Sequence, residues 1–482
     1  MALSAVQSKA QSHAVLGEPL LAHRLADYAF NLSADAIPKA CLQEAKRRII
    51  DSLGCAMGAI DSDPARIARE HALSVSPASG FGGCTVIGTH HTSSPELGAF
   101  ANGVLFRYLD FNDTYLSKEP AHPSDNIAAI LAVGEMNGNS GKEILAAIVL
   151  AYEIQCRLCD AYSIRSRGWD HVTYGSFSTA LACGKLLGFT KEQYVHALGL
   201  AGTPNNAMRQ TRVGELSNWK GCAFANASRN GVFAALLAHR GLTGPSEIFE
   251  GEMGFFNQIC GGTAFELPAM GGETLAGQVK HDEFMILKTY IKHFPAEYHS
   301  QSAIEAALAL RPLIGDWKNI TKITIQSFNA AVEIIAGFKE HWAPSSRETA
   351  DHSMPYVVSA ALVDGDITLE SFTMARIKDP ELLSLVQKVS VEANEEMNAG
   401  YPKGIPNKLI IETKDGRELV EYNAYPLGHA HNPMTNADVE AKFKKLSHRV
   451  FDNATVQQQL DILWDFENLS SVTPALKAFA RG

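Results

Sequence analysis

Residues 142–162 have the sequence KEILAAIVLAYEIQCRLCDAY, in which apolar side chains recur at helical spacing with no glycine or proline between them. The continuous apolar run inside this stretch extends only from Ile144 to Tyr152. It is far shorter than the roughly 20 apolar residues that cross a bilayer. Charged residues border the run, with Glu143 before it and Glu153 after it. The stretch therefore predicts a long helix buried inside a globular domain.

The sequence around this helix is helical as well. Near residues 38–58 the apolar positions follow the helical period, while Lys46, Arg47 and Arg48 face the other way. Thr190 and Gln193 have the spacing of a capping box, in which two side chains cap the backbone of a first turn. Further helices are predicted at residues 95–109, 124–136, 190–200 and 219–239. The first half of the chain thus indicates a large all-helical domain.

The composition changes at residues 241–277, where nine glycines interrupt helical patterns and predict a connection. Beyond it, residues 320–327 alternate between apolar and polar, as in a strand. Two more alternating segments flank Asp415-Gly416, which is a strong signal for a β-hairpin. Helices are predicted among these strands at 301–310, 354–362 and 380–388, and two amphipathic helices follow at 437–449 and 455–466.

These segments predict a mainly α fold with a smaller α+β part. We divide the chain into a flexible tail (1–17), a helical domain (18–272), an α+β domain (273–432) and C-terminal helices (433–482). The C-terminal helices are expected to return and pack on the helical domain. A length of 482 residues fits this division, because single hydrophobic cores stop growing near about 250–300 residues.

The charge composition of the chain limits the classes of ligand that it can bind. Lys and Arg number 42 against 52 Asp and Glu, so the formal net charge is −10. This argues against nucleic acid or an anionic membrane as partner, since binding phosphate requires a basic surface. An anionic small molecule would need positive charge concentrated in a pocket. Residues 1–17 lack the pattern of a signal peptide, and we expect a cytoplasmic protein.

Metal binding is not indicated by the sequence. Cys156-x-x-Cys159, with Cys84 upstream, distantly resembles an iron–sulfur ligand set. The pair lies in the apolar helix described above, however, where thiols are commonly small core side chains. The sequence contains no His-Glu-x-x-His and no second Cys-x-x-Cys. We therefore expect neither a metal nor another cofactor.

The densest polar stretch is Asp110-Phe-Asn-Asp-Thr-Tyr, followed by His122-Pro-Ser-Asp-Asn. If the preceding helix continues, Asp110 and Thr114 share one of its faces. Ser124 and Asp125 are good N-cap residues for the next helix, which would place His122 beside a helix N-terminus that favours a bound carboxylate. Ordinary helix caps would also explain the serine and the aspartate.

Cationic residues follow later in the chain. Arg209, Arg212 and Lys220 lie in a short segment where one predicted helix gives way to the next, and Lys292 precedes a turn marked by Phe-Pro-Ala. Singly, such residues are usually solvated. Together they indicate a pocket for a multiply charged anion, because arginine binds carboxylates in a bidentate way and lysine acts as a point charge.

Four strings carry a resemblance to a known family: Leu109-Asp-Phe-Asn-Asp-Thr-Tyr, His122-Pro-Ser-Asp-Asn, Phe294-Pro-Ala-Glu-Tyr-His-Ser-Gln-Ser-Ala and Tyr425-Pro-Leu-Gly-His. In this order they resemble the MmgE/PrpD family, and the resemblance extends from about Leu20 to the C-terminus. It implies a helical domain, a smaller α+β lid domain, a cleft between them, a homodimer and no metal cofactor.

The resemblance also implies site residues. The family's Asp-x3-Thr matches Asp110 and Thr114, its histidine matches His122, and its two lysines match Lys220 and Lys292. Arg209 and Arg212 resemble an arginine pair of the dehydratase branch, and His171 falls near a family site histidine. After Phe-Pro-Ala the decarboxylase branch has a histidine, whereas this chain has Glu297, as dehydratases do.

The activity implied is dehydration of 2-methylcitrate, or also of citrate, a small tricarboxylate. In that reaction Lys220 and Lys292 would stabilise developing charge, and Asp110 and His122 would be the acid and base, in an order that the sequence leaves open. Alternatives within the family are cis-aconitate decarboxylation and dicarboxylate epimerisation. An alternative of another class is a carboxylate-binding protein without catalysis.

Overall fold

The computed structural model describes residues 19–77, 82–214, 216–275, 278–279 and 283–481. The tail predicted at 1–17 lies outside these residues. Two large hydrophobic cores are present in the described part of the chain. The first unites residues from both ends of the chain, and the second is built mainly from residues 290–411. The fold is mainly α with a small α+β part, as predicted.

Helices dominate the first core. The helix Gly141–Ala161 begins with a capping box of Ser140 and Glu143, and every residue from Ile144 to Cys159 is buried. The buried thiols Cys156 and Cys159 are core side chains, and burial raises the pKa of both. The other helices before the connection are Leu21–Asn31, Lys39–Ala59, Asp63–Leu73, Pro95–Arg107, Ile127–Asn137, Val172–Leu186, Lys191–Gly202 and Trp219–His239. The short helix Phe255–Gln258 lies within the connection.

The C-terminal helices Asn436–Ser447, Asn453–Trp464 and Thr473–Lys477 join the first core, as predicted. The first of them packs closely on Lys39–Ala59. Gly54 allows this approach, because a Cβ at this position would lie 3.2 Å from the Cα of Phe443. The glycine-rich connection also packs on this core, through buried residues such as Phe249 and Phe255.

The second core lies between helices and one four-stranded sheet, ordered Val389–Ala393, Ile320–Ser327, Asn407–Thr413 and Glu418–Asn423. The first pair is parallel, with Ile323 opposite Val389, and the other pairs are antiparallel. The predicted hairpin is confirmed. Two-stranded pairs elsewhere join Cys84–Thr85 to Thr92–Ser93 and Thr274–Leu275 to Gln278–Val279.

Helices flank this sheet: Gln301–Ile314, Asn329–Ile335, Arg347–Ala350, Met354–Asp364, Met374–Ile377, Pro380–Val386 and Glu395–Gly400. The first of them extends past the predicted end at residue 310 and contains Pro312 in its last turn. Within the described ranges, none of the helices combines the length and apolar character of a transmembrane span.

Candidate active site

The chain turns sharply where the sequence predicted a continuing helix. The helix that starts at Pro95 ends at Arg107, and Asp110 has a left-handed backbone with φ of 52°. Aspartate is one of the few residues other than glycine that tolerate this conformation. The prediction that Asp110 and Thr114 share a helix face is therefore wrong. The turn directs the Asp110 carboxylate back toward the Arg107 side chain, to which it is hydrogen-bonded.

A short backbone bridge connects this turn to the residues before the second core. The N–H of Thr114 donates to the carbonyl of Tyr290 at 2.8 Å, and the N–H of Tyr290 donates to the carbonyl of Thr114 at 2.9 Å. The Thr114 hydroxyl lies 3.2 Å from the carbonyl oxygen of Ala121. This bridge brings Lys292, two residues after Tyr290, against Asp110.

Cations surround the Asp110 carboxylate, which is 2% exposed. The Lys292 Nζ lies 2.8 Å from Oδ1, and the Lys220 Nζ lies 3.1 Å from Oδ2. The Arg107 guanidinium also pairs with Oδ1, and Nε2 of His352 lies 3.4 Å from Oδ2. The two lysines predicted from the sequence thus meet at one carboxylate, together with two side chains that the sequence analysis did not identify.

The electrostatics of this cluster bear on the role of Asp110. Burial alone would raise its pKa, but the charges of Arg107, Lys220 and Lys292 outweigh burial and hold the pKa well below its usual range. Asp110 is therefore ionised near neutral pH and is a weak proton acceptor. Burial also lowers the pKa of Lys220, while Asp110 offsets part of that effect. The geometry favours Asp110 as the counter-ion that holds the cations in place.

The helix start beside His122 differs from the prediction. Residues Pro123–Asn126 form a 3₁₀ turn, and neither Ser124 nor Asp125 acts as a side-chain cap. The Ser124 N–H donates to Oδ1 of Asp113 at 3.0 Å. This backbone amide is therefore already hydrogen-bonded to a carboxylate of the protein. The expectation that the helix N-terminus binds a substrate carboxylate is therefore not supported.

His122 has a defined tautomer. Its Nδ1 lies 2.7 Å from the backbone carbonyl of Asp113. Because a carbonyl oxygen can only accept, Nδ1 carries the proton and Nε2 has the free lone pair. Burial, and then the charges of Arg107 and Lys292, lower the pKa of His122 well below its ordinary value. A neutral imidazole with a free Nε2 is the form that a general base requires.

A second histidine lies beside the first, with ring centres 5.8 Å apart. Nδ1 of His171 is 2.9 Å from the Asp170 carboxylate, and the same carboxylate lies 2.9 Å from Nε of Arg212. Burial and Arg212 lower the pKa of His171 to about 4, although Asp170 opposes them. Nε2 of His171 is buried and has no hydrogen-bond partner within the described ranges. Arg212 is thus held by Asp170 rather than free.

Arg209 and Arg165 differ from the other cations. Neither guanidinium forms an ion pair or hydrogen bond with another residue that the structure describes. Beside them Glu119 is buried and accepts hydrogen bonds from the Ser163 hydroxyl and the Arg165 backbone. Burial raises the pKa of Glu119 to about 7. The two free guanidinium groups provide a place for an external carboxylate.

These groups line one cavity of about 480 Å³, bordered by residues of both cores. All eight residues predicted from the sequence contribute to it: Asp110, Thr114, His122, His171, Arg209, Arg212, Lys220 and Lys292. Its cationic side chains are Arg107, Arg165, Arg209, Arg212, Lys220 and Lys292, and its carboxyl groups are Asp110, Glu119, Asp170, Glu297 and Glu340. Among the residues that the structure describes, six cationic side chains thus face five carboxyl groups at this cavity, in a chain whose net charge is −10.

Sequence reasoning missed further residues of the cavity wall, among them Arg107, Glu119, Arg165, Asp170, Glu297 as an ion-pair partner, His299 and His352. For Asp170 a signal was available, since it directly precedes His171. A signal was also available for Glu297 and His299, which lie inside the family motif that begins with Phe294-Pro-Ala. Arg107 was hidden because a basic residue in the last turn of a helix is usually solvated.

Comparison with known proteins agrees with this architecture. Residues 23–268 match the MmgE/PrpD N-terminal domain, and residues 294–468 match the MmgE/PrpD C-terminal domain. The chain belongs to the MmgE/PrpD family. The C-terminal match includes most of the second core and also the helices Asn436–Ser447 and Asn453–Trp464 of the first core. The cavity is lined by residues of both matched regions.

Several relatives in the MmgE/PrpD family cover most of the chain. A probable 2-methylcitrate dehydratase of Saccharomyces cerevisiae is 29% identical over 80% of this chain and 78% of its own length. The 2-methylcitrate dehydratase of Escherichia coli is 28% identical over 93% of this chain and 94% of its own length. An alkylcitrate dehydratase of a fungal species is 29% identical over 92% and 90%.

Proposed function

We propose that this chain is a dehydratase, an enzyme of the lyase class, that removes water from 2-methylcitrate to give 2-methyl-aconitate. Citrate, converted to cis-aconitate, is the second proposed substrate. The observation that carries the proposal is the meeting of Lys220, Lys292 and a neutral His122 in one cavity that also contains free guanidinium groups. The dehydratase names of the family relatives support it.

The first step of the reaction is the removal of a proton from a weakly acidic carbon atom. A carbon next to a carboxylate is a very weak acid, so removal of its proton requires cations placed where the negative charge develops. Lys220 and Lys292 are the proposed cations, because both are buried and fixed by Asp110. A fixed charge in a buried site needs no reorganisation when the reaction occurs.

We assign the base role to His122. Its Nε2 lone pair is free, its tautomer is held by the Asp113 carbonyl and its lowered pKa keeps it neutral. Asp110 cannot easily take this role, since its three cationic neighbours stabilise the ionised form. This choice departs from the expectation that Asp110 and His122 form the acid–base pair, because an ionised Asp110 has no proton to donate.

The remaining polar groups bind the substrate in this proposal. Arg209 and Arg165 bind a remote carboxylate, which fixes the orientation of the reacting carbon. The Thr114 hydroxyl and Nε2 of His171 are placed as hydrogen-bonding groups, and Arg212 orients His171 through Asp170. The roles assigned so far all belong to side chains of the chain itself, and the proposal includes no cofactor. Homodimer assembly and a cytoplasmic location stay predictions from the sequence.

Incubation of the purified protein with 2-methylcitrate, citrate and cis-aconitate tests the proposal. We expect NMR spectra to show a new conjugated alkene from the first two substrates, at an unchanged rate with chelator present. Release of carbon dioxide from cis-aconitate without any dehydration would instead favour a decarboxylase. Calorimetric binding of all three compounds without turnover would favour a carboxylate-binding protein.

The pH dependence of kcat follows from His122. As the pH falls through the pKa of a basic histidine, the imidazole is protonated and the rate is lost. Because burial, Arg107 and Lys292 lower this pKa, we expect kcat at saturating substrate to stay constant down to below the ordinary histidine value of about 6.5. If kcat falls to half its maximum on the acid side already at or above pH 6.5, with circular dichroism showing an intact fold, the assignment is contradicted.

A further inference from the structure

A carboxylate–histidine pair in the cavity is not used by the mechanism above. Glu297 precedes the 3₁₀ turn Tyr298–Ser300 and caps it, with Oε2 accepting the backbone N–H of His299 at 2.8 Å. Its other oxygen, Oε1, lies 2.7 Å from Nδ1 of the same histidine. The Glu-x-His spacing therefore builds the pair locally, and both side chains line the cavity.

The contact between Glu297 and His299 involves only one of the two imidazole nitrogens. Burial would raise the pKa of Glu297, but the charge and hydrogen bond of His299 outweigh burial and lower it to about 2. An ionised carboxylate only accepts, so Nδ1 of His299 carries a proton. Nε2 is buried and has no hydrogen-bond partner among the residues that the structure describes. Because a buried polar atom without a partner costs free energy, its position in the cavity points to a ligand.

The ring of His299 is also fixed in orientation. Its centre lies 5.2 Å from that of Phe328 and 5.7 Å from that of Tyr401. The residue is only 4% exposed. Aromatic neighbours and a carboxylate thus hold the imidazole in one pose, which is what a proton-transfer group requires.

We propose that Nε2 of His299 donates a proton to the departing hydroxyl group of the substrate, and that Glu297 is the positioning residue that orients the ring and stabilises its positive charge. This inference rests on the proposed function and supplies its missing acid. Hydroxide is a poor leaving group, so elimination of a tertiary hydroxyl needs a donor as well as a base.

The other histidines of the cavity fit this role less well. His122, His171 and His341 have pKa values lowered by burial and by neighbouring positive charges, so all three are neutral near pH 7. Both nitrogens of His352 face carboxylates, Nδ1 toward Asp351 and Nε2 toward Asp110. His299 has a carboxylate on one nitrogen and an unoccupied second nitrogen.

The complete step is balanced. Nε2 of His122 takes the proton from the carbon, and the electron pair of that C–H bond forms the new C=C bond. The C–O bond breaks, the oxygen leaves with its electron pair, and the proton from Nε2 of His299 makes it water. His122 is then protonated and His299 neutral, and proton exchange with solvent restores both.

A substrate analogue with fluorine in place of the tertiary hydroxyl distinguishes the contribution of the proton donor from that of the base. Fluoride leaves without a proton donor, because its conjugate acid is far stronger than water. We expect His299→Asn to lower kcat for water elimination by about 10²–10⁴-fold but to change fluoride release, measured with an ion-selective electrode, by less than about 10-fold. His122→Asn should lower both rates, since both need the base.

Two further variants complete the design. Glu297→Gln keeps the size and one hydrogen bond but removes the charge, and we expect a smaller loss in kcat for water elimination with little change in KM. His429→Asn removes a buried imidazole outside the cavity and should change both eliminations by the same small factor. Equal losses for both leaving groups in His299→Asn, or unimpaired water elimination, would overturn the proposal. If the unaltered protein eliminates neither group, the proposed function fails and this inference fails with it.

Discussion

Replacing Asp110 by asparagine is expected to lower the free energy of unfolding by about 3–5 kcal/mol, the usual cost of removing one partner from a buried ion pair. The change leaves Arg107, Lys220 and Lys292 buried around a neutral amide. Asparagine is the appropriate substitution, because it tolerates the left-handed backbone at φ of 52°. Urea or thermal unfolding measures the effect, and dehydration should be lost as the two lysines separate.

Two controls accompany this variant. Asp110→Ala removes the same charge but adds strain at a left-handed position, so it should be less stable than Asp110→Asn by about 1–2 kcal/mol. Asp366→Asn removes the partner of Lys445 in a surface ion pair, and such pairs contribute only about 0–1 kcal/mol. An Asp110→Asn protein that is as stable as the Asp366→Asn protein would show that the carboxylate does not hold the cluster together.

The second substitution with a large expected effect is at His122. We expect His122→Asn to lower kcat by about 10²–10⁴-fold, the usual contribution of general acid–base catalysis. The asparagine amide can still donate to the Asp113 carbonyl in place of Nδ1, but it has no basic nitrogen. KM should change little, because the arginines and lysines that bind carboxylates are untouched. Steady-state kinetics on 2-methylcitrate and citrate measure both constants.

The same kinetics on His429→Asn control for the loss of any buried imidazole. His429 stacks on Tyr290 with ring centres 4.5 Å apart, outside the cavity. We expect its kcat to stay within a few-fold of the unaltered protein. A folded His122→Asn protein with full kcat would remove His122 from the mechanism and leave the base to His171 or another group.

Local sequence patterns predicted the elements well. The helix at 219–239 coincides with Trp219–His239, the strand at 320–327 coincides with Ile320–Ser327, and the capping box of Thr190 and Gln193 is formed. Among the helix boundaries that differ from the prediction, two concern prolines or turns. The helix predicted to end at residue 310 continues to Ile314, although Pro312 has no N–H to donate to the carbonyl four residues earlier. The helix predicted to end at residue 109 ends at Arg107, just before the left-handed turn at Asp110.

The sequence motifs identified residues that share one cavity but did not predict how these residues pair. The eight residues identified from motifs all line the cavity. Nothing in the sequence indicated that Arg212 pairs with Asp170 while Arg209 stays free, or that Asp113 occupies the helix start beside His122. These facts decide which cations and which imidazole nitrogen are available to a substrate.

The sequence by itself determined the helical periods, the hairpin and the residue types that the chemistry needs, because these depend on neighbours within a few positions along the chain. Only the tertiary structure decided that Lys220 and Lys292 meet at Asp110, more than a hundred positions before them. Burial and mutual distance set whether a charge is paired, free or neutral, and both quantities arise only when distant segments pack together.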